Sequence, residues 1–290
     1  MKYLVTGYSG QLGYDIVRKL VGAGCDVLYP VRKEMDITNR KQVMEVVRRF
    51  NPDVIFHCAA WTDVDKAEKM YQEAYNVNVI GTRNITDASI EAGAKLVHVS
   101  TDYVFDGTKD GFYYVDDVPN PRSVYGWTKF LGEEEAKRNP NHFIARISWA
   151  FGINGKNFVR TMLELSERYD ELNVIADQFG SPSYSVDLAE LLINMSHTDK
   201  YGIYHVNNSG YCSWAEFADY IMKSNDKNTK INFVSTAEYY EGKNLSQIAY
   251  RPRNSKLDKS ELVRNGFEML PDWKDATDRY CKELKKTFER

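Results

Sequence analysis

Lys2-Tyr3-Leu4-Val5-Thr6-Gly7-Tyr8-Ser9-Gly10-Gln11-Leu12-Gly13 runs from an apolar strand, through glycines spaced G-x-x-G-x-x-G, into a helical pattern at about Gln11–Ala23. A glycine motif between a strand and a helix is the context that a dinucleotide site requires. Gly7 permits the tight turn, Gly10 lets backbone N–H groups approach a pyrophosphate, and Gly13 lets the helix pack close to the strand. The helix start adds unpaired N–H donors and a positive dipole end for phosphate. Gly7, Gly10, Gln11, Leu12 and Gly13 are therefore the expected cofactor contacts at this turn.

Outward from this turn, apolar runs at Tyr3–Val5, Val27–Tyr29, Val54–Phe56, Leu96–Val99 and Phe143–Arg146 alternate with helical patterns at about Gln11–Ala23, Arg40–Phe50, Ala67–Ala92 and Ser123–Arg138. The alternation predicts βαβ units and a parallel sheet covered on both faces. Right-handed crossovers make it a doubly wound, Rossmann-type α/β fold. After Trp149 the rhythm changes. The expected division is an NAD(P)-binding domain over residues 1–150, with about 183–206 returning to it, and a smaller, mainly substrate-binding C-terminal lobe over 151–290. The return would use a helix at Val186–His197 and a strand at Ile203–Val206. The lobe should hold helices, one short strand around Ile231–Val234, and a charged surface helix over Asp278–Arg290 docked by Leu284 and Phe288.

Composition removes several classes. The net charge is −3 and no long Lys/Arg run is present, which excludes a general nucleic-acid binder. An anionic ligand must then be met by a local patch. Cys25, Cys58, Cys212 and Cys281 are scattered, with no CxxC and no His cluster at ligand spacing. That pattern fits a reducing compartment and predicts no metal site. The start MKYLVTG is already a buried strand, and no stretch is long and apolar enough to span a membrane. A cytoplasmic, soluble chain is expected.

The end of the second strand usually selects the cofactor, an acid favouring the ribose 2′-hydroxyl and an Arg a 2′-phosphate. Here Tyr29-Pro30-Val31-Arg32-Lys33-Glu34 has no acid immediately after the strand and two adjacent cations. Arg32 points to NADPH, with NADH as the alternative. Asp36 and Ile37 are placed to flank the adenine ring, with Asp36 also able to cap the following turn. Ala59 and Ala60, ending the third strand, leave room for the cofactor. Cys58 beside them reads as a small buried hydrophobe.

Tyr125-Gly126-Trp127-Thr128-Lys129 supplies the chemistry. Residues four apart share a helical face, so a phenol and an ammonium can occupy one site. A fixed cation stabilises phenolate and makes Tyr a usable acid toward an alkoxide formed by hydride addition. The fourth strand ends in His98-Val99-Ser100-Thr101-Asp102-Tyr103, where parallel sheets place their ligands. Ser100 and Thr101 are both candidates for a hydroxyl that hydrogen-bonds a substrate carbonyl, and only one is needed.

Taken together, these motifs resemble the extended short-chain dehydrogenase/reductases, and Asn78-Val79-Ile80-Gly81-Thr82-Arg83-Asn84 is similar to that family's N-V-x-G-T-x-N helix. Within it, Val64-Asp65-Lys66-Ala67-Glu68, Ser100-Thr101-Asp102-Tyr103-Val104-Phe105, Asp177-Gln178-Phe179-Gly180-Ser181-Pro182 and Arg251-Pro252-Arg253-Asn254-Ser255 look like the dTDP-4-dehydrorhamnose reductases. The likeness runs from residue 2 to at least Trp273. The resemblance implies roles by matching position. Thr101 would be the catalytic hydroxyl, Tyr125 the general acid, and Lys129 the residue that tunes Tyr125 and holds the nicotinamide ribose. Thr62, Asp102 and Trp149 would face the sugar. Arg251, Arg253 and Asn254 would meet the nucleotide diphosphate in the C-terminal lobe, where Arg suits phosphate geometry.

The activity implied is NADPH-dependent reduction of the 4-keto group of a nucleotide-linked 6-deoxysugar, dTDP-4-dehydro-L-rhamnose to dTDP-L-rhamnose. A non-catalytic NADP-binding regulatory subunit is the first alternative, opposed by the intact Thr101, Tyr125 and Lys129. A nucleotide-sugar epimerase or dehydratase is the second. It needs further acid–base groups, and Asp102 is present with no Glu after it. Some relatives use a divalent ion at a subunit contact, but no ligand cluster for one is visible. The expected partner is the nucleotide sugar, and a homodimer is left open.

Overall fold

The computed structural model describes residues 1–242 and 248–288, with the Phe288 side chain outside that description. Strand β1 (Lys2–Thr6) shows why the sheet is buried on both sides. Tyr3 and Val5 enter one apolar cluster with Ile16, Leu20, Leu188 and Leu192, while Leu4 enters another with Val43, Ile55, Ile85 and Leu96. Successive strand residues face opposite sides, so a continuous apolar run is stable only between two layers. Each such side chain contributes about 1.5–3 kcal/mol by leaving water.

β1 lies beside β2 (Asp26–Leu28) and β3 (Val54–His57), followed by β4 (Lys95–Thr101) and β5 (His142–Ile147). Four strands that stay outside this sheet follow β5: β6 (Ala150–Phe151), β7 (Glu171–Ile175), β8 (Phe179–Gly180) and β9 (Ser183–Tyr184). β10 (Gly202–His205) then pairs with β5, giving a six-stranded sheet in the order β10-β5-β4-β3-β1-β2 with every pairing parallel. Helices α1 (Gln11–Gly22), α2 (Arg40–Phe50), α3 (Val64–Lys69), α4 (Tyr71–Tyr75), α5 (Thr82–Glu91), α6 (Val124–Ala136), α7 (Phe158–Ser166) and α8 (Ser185–Ser196) follow in order. α1 and α8 cover one face, and α2, α5 and α6 cover the other.

A third apolar cluster, around Phe151, Met162, Phe217, Ile221 and Tyr280, forms the core of the lobe. It is built from α7, α9 (Trp214–Ser224) and α12 (Trp273–Phe288), with β11 (Cys212–Ser213) and β12 (Lys230–Val234). Two short helices, α10 (Thr236–Tyr240) and α11 (Ser260–Arg264), complete the described chain. β12 pairs in parallel with β7, a strand that the sequence pattern did not announce. The C-terminal helix begins at Trp273 rather than Asp278 and buries Leu284; residues 289–290 and the Phe288 side chain lie outside the described residues.

The single helix expected over Ala67–Ala92 is broken. α3 and α4 meet at Met70, and a π-helical turn spans Asn76–Gly81 before α5. The turn places Asn78 where its side chain accepts from the Trp61 N–H (2.8 Å) and donates to Thr128 Oγ1 (2.9 Å). One buried amide thus ties the loop after β3 to the helix carrying Tyr125. Single π turns often occur where a fold must aim a side chain.

Candidate active site

At the first turn, Gly7 has φ 72°, and a Cβ there would lie 2.6 Å from the Ala59 nitrogen. A Cβ on Gly13 would lie 2.4 Å from the Gly7 carbonyl oxygen. Both glycines are therefore required by backbone contact, with no ligand invoked. The start of α1 is what points to a ligand. α2, α6 and α7 carry side-chain caps from Asn39, Ser123 and Asn157, whereas α1 begins at Gly10 with no side-chain cap and no acid in its first turn. Its end faces a cavity of about 460 Å³ bounded by Pro30, Arg32, Asp36, Ile37, Ala59 and Ala60. Free N–H donors at the end of an apolar slot fit a nucleotide diphosphate and its adenosine.

The residues nominated around this slot play unequal parts. Arg32 is 80% exposed, and its Nε donates to Asp36 Oδ2 at 3.0 Å. Burial alone would raise the Asp36 carboxyl. Bonds from the Thr38 hydroxyl and N–H, and from Arg32, outweigh it and hold the group below its ordinary range. Ile37 packs against Gly81, where a Cβ would come within 2.7 Å. Leu12 is buried in the core cluster, so only its backbone can serve a ligand. The Gln11 amide donates to Lys156 O at 3.3 Å, and Asn154 donates to Ser9 O at 2.8 Å. The loop after β6 is thereby strapped across the glycine turn. Burial pushes the Cys58 thiol up to about 12, which leaves it inert.

A second cavity, of about 510 Å³, continues from the glycine turn past Thr62 to Thr101, Asp102, Tyr125, Lys129 and Trp149. Ser123 caps α6 through the Gly126 N–H at 3.1 Å, and Gly126 sits against the Tyr103 carbonyl, where a Cβ would come within 2.2 Å. This contact presses the first turn of α6 onto the end of β4 and brings Tyr125 beside Thr101. Ser100 and Thr101 now separate. Ser100 Oγ donates to the buried Glu133 carboxylate (2.5 Å), which also holds Arg146 through Nε (2.9 Å) and Nη2 (2.8 Å). Thr101 remains as the hydroxyl beside the phenol.

Lys129 Nζ donates to the Val99 carbonyl at 2.6 Å, and burial draws its pKa down to about 8. Burial pushes the Tyr125 phenol up to about 12; the Thr101 hydroxyl pulls it down and the Asp102 charge adds to the rise. In this geometry the largest influence on the phenol is burial rather than the ammonium. Lys129 is drawn to a carbonyl of β4, and desolvation sets the phenol. A high phenol pKa keeps Tyr125 protonated, the form that a proton donor needs.

The third cavity, of about 290 Å³, shares Asp102, Tyr103, Trp149 and Trp214 with the second and extends into the lobe past Gln178, Arg251 and Ser255. Trp149 has φ 48°, a conformation that typically costs a non-glycine residue 1–3 kcal/mol and persists only where packing over-determines it. Its ring stacks on Trp214 with centroids 3.6 Å apart, and a Cβ on Gly180 would come within 2.5 Å of it. Arg251 reaches this cavity while paired with Asp65 through both nitrogens, at 3.0 and 2.8 Å. Arg253 is exposed and lines none of the three cavities. Asn254 donates to Lys109 O and Gly111 O, so it braces a loop. Of the three residues assigned to the diphosphate, only Arg251 stands at the site.

Sequence reasoning passed over Tyr103, Trp214 and Ser255 as site residues. Tyr103 and Ser255 stand inside motifs already singled out, whereas nothing local marks Trp214. No cluster of His, Cys, Asp and Glu that could hold a metal is found among the described residues. Among the same residues, no helix is long and apolar enough to cross a membrane.

The sheet order and the groove running from the glycine turn to the lobe define the class: an oxidoreductase fold of the short-chain dehydrogenase/reductase type. The chain belongs to the RmlD substrate binding domain family, which matches residues 1–286. It is 41% identical over 284 residues to the spore coat polysaccharide biosynthesis protein SpsK of Bacillus subtilis (strain 168), covering 97% of each chain. It is 40% identical to the dTDP-4-dehydrorhamnose reductase of Aggregatibacter actinomycetemcomitans, covering 95% of this chain and 96% of that one. Among solved structures, dTDP-4-dehydrorhamnose reductase (rfbD) from Bacillus anthracis str. Ames in complex with NADP superposes with TM-score 0.92. That structure is 41% identical, with 97% of this chain and 99% of that chain covered.

Proposed function

We propose that this chain is an NADPH-dependent reductase of a nucleotide-linked 4-keto-6-deoxysugar, with dTDP-4-dehydro-L-rhamnose as substrate and dTDP-L-rhamnose as product. The observation that carries the reading is the continuity of the groove. The slot at the α1 terminus, the Thr101–Tyr125–Lys129 set and the Trp149–Arg251 end of the lobe share lining residues in sequence. A cofactor laid along the first two sections and a nucleotide sugar along the last two would meet beside Tyr125. Relatives named as dTDP-4-dehydrorhamnose reductases, and the NADP complex of one of them, support the same assignment.

Reduced nicotinamide, when bound, supplies the hydride. The chain does the rest. Tyr125, protonated across the physiological range, gives its proton to the keto oxygen as charge develops there. Thr101 sets the oxygen's position beside the phenol. Lys129, anchored to Val99, puts a fixed positive charge in the same cavity. The Trp149–Trp214 stack walls off the sugar and excludes water on that side. Arg251 is the group placed to exchange its Asp65 partner for a phosphate.

Selectivity for NADPH rests on Arg32. An exposed ion pair such as Arg32–Asp36 contributes little, so the guanidinium can be redirected to a 2′-phosphate at small cost. The test is NADPH oxidation across a panel of nucleotide-linked 4-keto-6-deoxysugars. Turnover with the dTDP-linked sugar is expected, and the free keto-sugar should react far more slowly because remote binding energy positions the reacting carbon. No turnover with any member of the panel would overturn the assignment.

A further inference from the structure

On α6 the residues Tyr125, Lys129 and Glu133 follow one another at four-residue intervals and so share one helical face. The last three residues of β4 meet that face. The Val99 carbonyl accepts from Lys129 Nζ at 2.6 Å, Ser100 Oγ donates to Glu133 Oε1 at 2.5 Å, and Thr101 lines the same cavity as Tyr125. Ser100 lies between the two β4 residues that serve the site, so its bond to Glu133 ties both of them to the helix. Glu133 itself is buried and lines none of the three cavities.

Glu133 is held in turn from β5. Ser100 and Arg146 are register partners on neighbouring strands. Arg146 Nε donates to Glu133 Oε1 at 2.9 Å and Nη2 to Oε2 at 2.8 Å, while Nη1 donates to Val115 O at 3.2 Å. The two side chains of this ion pair are 1% and 0% exposed. Desolvation offsets most of the attraction in such a pair, so it is a weak source of net stability. Its two parallel N–H···O bonds instead fix the plane of the carboxylate, and with it the oxygen that Ser100 meets. The rest of α6 has little slack. A Cβ on Gly126 would lie 2.2 Å from the Tyr103 carbonyl oxygen, and one on Gly132 would lie 2.6 Å from the Asn78 carbonyl oxygen. With the helix pressed at two points, the Glu133–Ser100 bond sets where the end of β4 sits against it.

We propose that Glu133 is a positioning residue for the reduction: through Ser100 it holds the end of β4 in place against α6, so that the Val99 carbonyl meets Lys129 and Thr101 meets the substrate beside Tyr125. The inference rests on the reading of the site as a reductase, and it adds a group outside the cavities on which the rate depends. Bond-making steps are sensitive to displacement, and a shift of about 1 Å can cost about 10² in rate. Binding is less exposed to the same shift. The cofactor slot at the α1 terminus is built on other elements, and so is most of the lobe cavity around Trp149 and Arg251. Loosening the clamp therefore lowers kcat and leaves both binding constants nearly as they were.

The variant that isolates the clamp is Ser100→Ala. It cuts the link to β4 and leaves Glu133 its fork to Arg146, so no buried charge loses its partner. Steady-state kinetics with NADPH and the dTDP-linked keto-sugar, NADPH titration and thermal melts are run on wild type, on Ser100→Ala and on Leu192→Val. The last deletes one buried methylene on α8, on the opposite face of the sheet, and reports general loosening of the core. Rates are expressed per NADPH site titrated, which removes any unfolded fraction. Ser100→Ala should lose about tenfold or more in kcat, with KM for the sugar nucleotide and NADPH Kd within about threefold of wild type. Leu192→Val should melt earlier than wild type and keep its kcat. Should Ser100→Ala fail to fold, Ser100→Cys, whose thiol is a weak donor, takes its place with the same expectation. A folded variant at Ser100 with kcat within about threefold of wild type, a loss matched by Leu192→Val, or a loss confined to KM or Kd would overturn the positioning role and leave the reductase assignment standing. A wild type without turnover would overturn that assignment, and the role of Glu133 with it.

Discussion

Replacing Tyr125 by Phe removes a single oxygen from the centre of the groove. The ring would stay in place, edge-on to Tyr103 with centroids 5.4 Å apart. Thr101 keeps its bond to Asp102 and its acceptor bond from the Tyr103 N–H, so no buried hydroxyl is left without a partner. The cost in stability should therefore be at most about 1 kcal/mol, the net worth of one hydrogen bond. Lys129 remains anchored on Val99, so cofactor affinity should hardly change. Turnover should collapse. The phenol matters only as charge develops on the substrate oxygen, and a positioned general acid is worth about 10²–10⁴ in rate, or roughly 3–5 kcal/mol of barrier. The loss should appear in kcat at unchanged NADPH Kd. Steady-state kinetics, cofactor titration and a thermal melt on one preparation provide the assay. A folded Tyr125→Phe enzyme retaining more than about a tenth of wild-type kcat would refute the proton-donor role.

Arg32→Ala should weaken NADPH about tenfold while leaving NADH unchanged, because one charge-assisted contact to the 2′-phosphate is lost; equal wild-type affinities for the two cofactors would count against the assignment. Gly180→Ala sets a methyl group 2.5 Å from the Trp149 ring, which Trp214 holds from stacking distance. The indole must move at a cost of about 1–3 kcal/mol, so KM for the sugar nucleotide should rise at constant NADPH Kd, and an unchanged KM would argue that Trp149 does not face substrate.

Acid should destabilise the fold before carboxylate titration is complete. Burial lowers His57 and His205 from 6.5 to about 3, so the unfolded chain takes up protons that the native state refuses. Stability present above pH 6.5 is lost as pH falls, by about 2 kcal/mol for each of these histidines at pH 5, and Asp102, raised to about 6, offsets about 1 kcal/mol. His98 is shifted the same way as the other two. The urea midpoint should accordingly drop between pH 7.5 and pH 5, and a constant midpoint would contradict the buried neutral state of these rings.

Local chemistry was legible in the chain itself. The glycine spacing at Gly7, Gly10 and Gly13, the alternation of apolar strand and amphipathic helix, and the four-residue spacing of Tyr125 and Lys129 each express a short-range rule: a turn, a crossover, one helical face. Those rules hold wherever the segment sits, so sequence alone led to a doubly wound sheet and to a phenol and an ammonium on one helix. They failed where the chain broke its own period, as at Asn76–Gly81, because the π turn is held by Trp61 and Thr128 from other elements.

What only the tertiary structure decided is the choice among residues that local rules leave equivalent. Ser100 and Thr101 are neighbours of similar chemistry, separated by Glu133, which Arg146 holds buried and which claims Ser100. Arg251, Arg253 and Asn254 share one motif, yet only Arg251 enters the cavity, because Asp65 draws it there from 186 residues away while Asn254 turns to a loop backbone. Trp149 and Trp214 stack although nothing in either segment announces the other. Such pairings depend on which strand lies beside which and on how the lobe folds over the sheet edge. They follow from the packing of the whole chain, and no window of sequence short enough to carry a period contains both partners.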